Sequence, residues 1–258
     1  MKKIIAVLNY KGGVGKTTTA INLGAALHAR GGRVLVCDLD GQCNTTRILG
    51  YDADDGETLY DAMTSRRLSL PLPVYGYADG YDFVPASPQF ETIERDLSER
   101  YHKEDILRAL LAPVTGNYDY ILLDCPPNKG VMSSNALCAA TDLLVPMGGD
   151  PMSLQGVGAI MEKFGDVVAE ANPSLRLMGF LLTMFNERTN INRDVARLMA
   201  DRSDGRLLHT RIRRCIALSE APAQRQTIFD YAPQSNGAKD YAALAAEIEN
   251  DNDNDNDN

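Results

Sequence analysis

Eight consecutive residues carry the most chemistry in this 258-residue chain: Lys11, Gly12, Gly13, Val14, Gly15, Lys16, Thr17 and Thr18. Glycines let a backbone curl until several N–H groups point inward and form an anion nest. A helix that starts where such a loop ends adds the positive end of its dipole. In a loop of this kind Lys16 reaches the β- and γ-phosphates of a nucleotide, and the Thr17 hydroxyl holds Mg²⁺. The strict G-x-x-x-x-G-K-[ST] pattern fails at one point, because Tyr10 stands where its first glycine belongs; a second lysine, Lys11, opens the loop. Three aspartates complete the set. Asp38 and Asp40 alternate across Leu39, a spacing that suits a metal-water ligand and a water-orienting group. Asp124 ends the apolar run Ile121-Leu122-Leu123, the Walker B arrangement, from which a carboxylate meets the Mg²⁺ shell through water.

These residues need elements to position them. Residues 3–8 read as a short apolar strand, and 18–30 as a helix with Ile21, Leu23, Ala26 and Leu27 at helical spacing. Residues 33–37 read as a second buried strand running into Asp38. Further strands are expected at 81–86, 118–124, 142–147 and 175–185. Helices are expected at 58–63, 89–111, 153–171, 192–201 and 238–249, the second of these long, with a charged, solvated face. Residues 70–73 and 75–81 read as loop. Strands alternating with helices predict an α/β fold: three layers around a doubly wound, mostly parallel sheet of the P-loop NTPase type. In such sheets ligand groups gather at the carboxyl ends of strands, which is where Asp38, Asp40 and Asp124 fall. Residues 1–250 read as a single ATPase domain. Residues 251–258 alternate Asp and Asn and read as a disordered tail.

Composition narrows the setting. Apolar residues make up 44% of the chain, and no run approaches the ~18 apolar residues of a membrane-spanning helix. The five cysteines are scattered with no C-x-x-C pair, which fits a reducing, cytoplasmic compartment and argues against disulfides or a metal cluster. Net charge is -9; the four tail aspartates account for -4 of it and leave -5. That balance speaks against indiscriminate nucleic-acid binding but allows a local basic patch. Residues 205–219 contain no acid and hold Arg206, His209, Arg211, Arg213 and Arg214. They read either as a solvated strand edge or as a phosphate-contacting patch for DNA. The final helix carries only Lys239 as a basic residue, unlike a membrane-binding amphipathic helix.

Four motifs in order resemble the ParA family of partition ATPases, in the deviant-Walker P-loop group. They are the loop at 11–18, Asp38-Leu39-Asp40-x-Gln42-x-Asn44, Ile121-Leu122-Leu123-Asp124-x-Pro126-Pro127, and Leu218-Ser219-Glu220-Ala221-Pro222. The match covers nearly the whole chain except its last eight residues, and its compact length resembles the short, Soj-like branch. The resemblance implies ATP/ADP and Mg²⁺ as ligands and slow hydrolysis. It implies a homodimer on ATP binding, in which Lys11 reaches the partner's phosphates. Lys11, Lys16 and Asp40 would be catalytic, and Thr17, Asp38 and Asp124 would serve the metal. Pro126 and Asn186 join the nucleotide contacts, with the backbone at 212–214 a second candidate for the adenine. Non-specific DNA would meet Arg211, Arg213 and Arg214. A ParB-like partner would stimulate turnover, and the protein would be nucleoid-associated. The chain departs from the family pattern at Gly41, Cys43, Asn128, Lys129 and Ala217. A MinD-like, membrane-associated positioning ATPase is the alternative; it needs a basic C-terminal amphipathic helix.

Overall fold

A computed structural model describes residues 2–52, 56–203 and 205–256, with the backbone alone for Gln155 and 251–256. The strands are β1 (Lys3–Val7), β2 (Val34–Asp38), β3 (Tyr75–Ala78), β4 (Tyr81–Val84), β5 (Tyr120–Asp124), β6 (Asp142–Gly148), β7 (Arg176–Phe185) and β8 (Leu207–Arg213). The helices are α1 (Lys16–Ala29), α2 (Asn44–Ile48), α3 (Leu59–Thr64), α4 (Ile93–Asp96), α5 (Ile106–Leu111) and α6 (Val131–Ala139). They continue as α7 (Pro151–Gln155), α8 (Val157–Glu170), α9 (Asn190–Arg202), α10 (Ala217–Glu220), α11 (Ile228–Tyr231) and α12 (Asn236–Asn256).

All eight strands form one sheet in the order β3-β4-β2-β5-β1-β6-β7-β8. Every pairing is parallel except β3 with β4. β2 and β5 are buried at every position, as strands covered on both faces must be. One face packs against α1, α11 and α12 through residues such as Ile21, Leu27, Ile228, Tyr241 and Leu244. The other packs against α3 and α5 to α9 through Leu107, Leu137, Ile160 and Met199. The expected three-layer α/β architecture is therefore present.

Three local expectations are corrected. The long helix expected over 89–111 is broken. A 3₁₀ turn (Pro88–Thr92) leads into α4, and a second (Lys103–Asp105) leads into α5. Between Leu97 and Ile106 the one large apolar side chain is Tyr101, which is 94% exposed, so nothing anchors the middle turns to the core. The Arg100 guanidinium instead bonds to the carbonyls of Thr64 and Ser65. Residues 75–78 are not loop but edge strand β3, joined to β4 by a turn at Asp79-Gly80 with Gly80 at φ +82°. The Asp-Gly pair between strands is the hairpin signal that favours this. The helix expected over 153–171 is two helices, divided at Gly156. The final helix continues its backbone into the Asp/Asn tract expected to be disordered; the side chains of 251–256 and all of 257–258 lie outside the described residues.

Carboxylates from α12 cover the open edge of β8. Glu247 accepts the N–H groups of His209 (2.6 Å) and Thr210 (2.8 Å). Asp240, buried, accepts the Arg213 N–H at 2.9 Å and two guanidinium donors, Nε at 3.0 Å and Nη2 at 2.5 Å. Unpaired edge donors would otherwise invite another strand. Asp240→Ala should cost about 1–2 kcal/mol, since it strips a partner from the Arg213 backbone N–H and from two donors of a guanidinium that is half exposed. Urea denaturation measures this, and a loss below 0.5 kcal/mol, roughly that of an ordinary surface change, would contradict the edge-cap role.

Candidate nucleotide site

The loop grows from the middle of the sheet, where β1 lies between β5 and β6. Buried Asn9 pins its entry: Nδ2 donates to the Pro146 carbonyl (2.8 Å) and Oδ1 accepts the Lys11 N–H (2.9 Å). Thr183 at the end of β7 pins the far side, its hydroxyl shared between the carbonyls of Val14 (2.8 Å) and Met147 (3.2 Å). Gly13 and Gly15 sit at φ +72° and +84°, where any side chain is strained. α1 starts at Lys16, so its unpaired N–H groups face the loop. The Lys16 ammonium crosses the loop to the Lys11 carbonyl at 3.1 Å. Burial lowers its pKa, and the charges of Asp124, Cys125 and Asp40 oppose that fall.

Strand register brings the aspartates together. Asp124 stands beside Val7 on one side and Asp38 on the other. Both carboxyls are fully buried. Burial pushes Asp38 up to about 7, with Asp124 adding to it. Burial likewise pushes Asp124 up to about 6, while the Thr45 and Thr17 hydroxyls pull it down. The oxygens of Asp38 are committed: Oδ1 accepts the Asp40 N–H (3.1 Å), and Oδ2 accepts the Thr46 N–H (2.9 Å) and hydroxyl (2.7 Å). Asp124 Oδ2 accepts the Thr45 hydroxyl at 2.7 Å, but its Oδ1 is buried with no hydrogen-bond partner. An unpaired carboxylate oxygen beside Thr17 is a donor set that fits a hard divalent cation with most of its waters retained. Of the expected metal residues, Thr17 and Asp124 suit direct or water-mediated contact. Asp38 holds the segment 40–46 in place through Asp40 and Thr46.

A cleft of about 680 Å³ opens over the loop. Gly12, Gly13, Gly15, Lys16, Thr17, Thr18 and Asp40 line its phosphate end, and Val14 is buried beneath. Pro127 lines it, whereas Pro126 is buried behind. Met184, Ile212, Arg213, Arg214, Cys215 and Leu218 line the other end. Asn186 is not among the lining residues. Its N–H is held by Asn192 Oδ1 (2.8 Å), and its own Oδ1 accepts the Arg188 N–H (3.0 Å). Residues 212–214, the alternative for the adenine, do line the cleft. Arg213 is tied to Asp240, Arg211 lies over the Phe185 ring with 4.7 Å to its centroid, and Arg214 is exposed.

Sequence reasoning missed the partners of Lys11. Its ammonium bonds to both oxygens of Asp150 (3.0 and 3.1 Å) and to Ser153 Oγ (3.1 Å). Asp150 is the N-cap of α7, with Pro151 in the first turn. That Asp-Pro pair signalled a helix start, but nothing local tied it to residue 11. Thr45, Thr46, Asn9 and Thr183 were missed for the same reason.

A mostly parallel sheet with a glycine-rich, lysine-bearing loop between its central strand β1 and α1, and aspartates ending the adjacent strand β5 and the next strand β2, defines a P-loop nucleoside triphosphatase. The AAA domain family matches residues 2–177. The sporulation initiation inhibitor protein Soj of Bacillus subtilis is 37% identical over 249 residues, covering 96% of this chain and 98% of Soj. The chromosome partitioning protein ParA of Myxococcus xanthus is 36% identical over 247 residues, 95% of this chain and 87% of that one. Cobyrinic acid a,c-diamide synthase of Mycobacterium smegmatis, solved with bound ADP and magnesium, superposes with a TM-score of 0.83 at 33% identity, covering 95% and 93% of the two chains. The chain belongs to the ParA/Soj family of partition ATPases.

The buried carboxyl pair makes a stability test. Both folded pKa values lie above the ordinary carboxylate value of ~3.9, so the ionised pair opposes folding. That penalty is absent only below the unfolded value, grows as pH rises through about 4 to 7, and is complete above the folded value of Asp38, about 7. In nucleotide-free protein without divalent metal, Asp124→Asn should melt several degrees above wild type at pH 8 and lose that advantage at pH 4.5. An advantage that does not change with pH would refute the buried-charge account.

Proposed function

We propose that the chain is an ATP hydrolase that uses the bound nucleotide to form a homodimer on DNA. The observation that carries this reading is the position of Lys11. Its ammonium stands at the loop mouth, yet it bonds to Asp150 and Ser153 of its own chain, and Lys16 alone spans the loop. A second lysine that its own loop does not engage suits a phosphate on another subunit. Mg²⁺ neutralises charge that develops on the transferred phosphoryl group. Thr17 and Asp124 would hold that ion. Lys16 and the loop N–H groups would cradle the phosphates. Asp40, on the cleft wall with its backbone anchored to Asp38, would orient the attacking water. No glutamine or arginine lines the phosphate end of the cleft among the described residues except Gln42, which supports slow intrinsic turnover. A ParB-like partner would then accelerate hydrolysis.

For DNA, Arg211 and Arg214 are the better candidates, since Arg213 is committed to Asp240. Two copies of this patch in a dimer raise affinity by avidity. The acidic α12, with Lys239 as its one basic residue, disfavours the MinD-like alternative. No helix among the described residues is long and apolar enough to cross a membrane. A cytoplasmic, nucleoid-associated location follows from this reading.

Lys16→Ala should abolish hydrolysis. Lys11→Ala should retain nucleotide but lose ATP-dependent dimerisation and DNA retention by at least tenfold. DNA binding by wild type should require ATP or a non-hydrolysable analogue, ignore sequence, and fall steeply with salt. Equal retention with ADP and ATP would defeat the switch. Asp150→Ala frees Lys11 from a half-exposed ion pair worth about 1 kcal/mol or less, so it should lower the ATP concentration for half-dimerisation by up to about fivefold. Light scattering across an ATP titration reads this, and an unchanged or raised midpoint counts against Asp150 as the resting partner.

A further inference from the structure

A second cavity lies on the opposite face of the sheet from α1, between α8, α9 and β7, with a volume of about 320 Å³. That is near the lower end of small-ligand pockets, ~300–1,000 Å³. Its walls are apolar: Leu154, Val157, Met161, Leu177, Phe180 and Met199. Gly158, the second residue of α8, faces it, and a Cβ built there would meet nothing within 4 Å. Glycine is a poor helix residue, and here it keeps the cavity open.

Among the described lining residues the polar end carries donors and no acid. Ser203 is 8% exposed, and its Oγ is buried with no hydrogen-bond partner, an arrangement that ordinarily costs stability. Arg202 and Arg206 flank it. Arg206 Nη1 donates to the Leu177 carbonyl at 2.7 Å, which fixes that guanidinium at the rim. Neither arginine has an ion-pair partner among the described residues. An apolar chamber ending in an idle hydroxyl and two guanidiniums without an ion-pair partner among the described residues is complementary to an apolar body that bears one anionic oxygen group.

We propose that this cavity is a binding site for a small amphiphilic carboxylate, separate from the nucleotide cleft. The carboxylate accepts from the Ser203 hydroxyl and the Arg202 and Arg206 guanidiniums. The apolar body fills the space over Gly158 and Met161. The chamber stands behind the α7–α8 break, on the helices that follow the Asp150 cap.

Octanoate is the probe, added to the full-length protein below its micelle concentration and followed by titration calorimetry. A ligand of ten heavy atoms in such a site should bind with a dissociation constant on the order of 1 mM or tighter. Octyltrimethylammonium, with the same tail and the opposite charge, should bind at least tenfold more weakly. Gly158→Leu fills the chamber with a better helix former and should weaken octanoate at least tenfold, with ATP binding and melting temperature unchanged. Arg202→Gln, on the exposed rim, should weaken it about fivefold, and it keeps the test informative if Gly158→Leu fails to fold. Equal binding of the cation and the anion, or wild-type affinity in either folded variant, would overturn the assignment.

Discussion

Two carboxyl groups in full burial set the terms for the rest of this molecule. Asp38 and Asp124 end neighbouring strands at the same level of the sheet, and among the described residues no cation is bonded to either. Ionised together they oppose folding at that depth. The chain answers with hydroxyls rather than salt bridges: Thr46 on Asp38 and Thr45 on Asp124. Those threonines belong to α2, so the same bonds that make the pair tolerable also fix the segment carrying Asp40. One oxygen, Asp124 Oδ1, is left unsatisfied. A site built this way is under-neutralised until positive charge arrives, which is the electrostatic condition for binding metal and nucleotide tightly.

The loop follows from this. A lysine near the buried Asp124 would normally pair with it, but Lys16 is drawn across the loop to a backbone carbonyl. Asn9 and Thr183 hold the loop in the shape that allows it, each spending its polar side chain on backbone groups of two different strands or turns. The anion nest is thus supported by the sheet itself.

What was legible in the sequence was whatever is contiguous. The loop at 11–18 and the strand ends at 38 and 124 each carry their signal within a few residues, and parallel strands between helices leave few topologies. What was not legible depends on separation. Lys11 and Asp150 lie 139 residues apart, and Thr45 and Asp124 lie 79 apart. No local pattern reports such pairs. The helix misread at 89–111 is the converse error. Its charges and apolar residues fit a helical period locally, but the core offers contacts only to Phe90, Ile93 and Leu97 at one end and Ile106 to Leu111 at the other.

The arginines show why counting charge in a segment is a weak guide to what the charge does. Residues 205–219 hold four arginines, and the structure puts them to four uses. Arg213 closes the sheet edge against Asp240, Arg211 covers Phe185, Arg206 braces the Leu177 carbonyl, and Arg214 is exposed. Yet Ile212, Arg213 and Arg214 also form the wall of the nucleotide cleft. A ligand filling that end of the cleft presses on the backbone that carries Arg211 and Arg214. A nucleotide in that end of the cleft would bear on this one short stretch of edge strand, which the Asp240 clamp ties to α12.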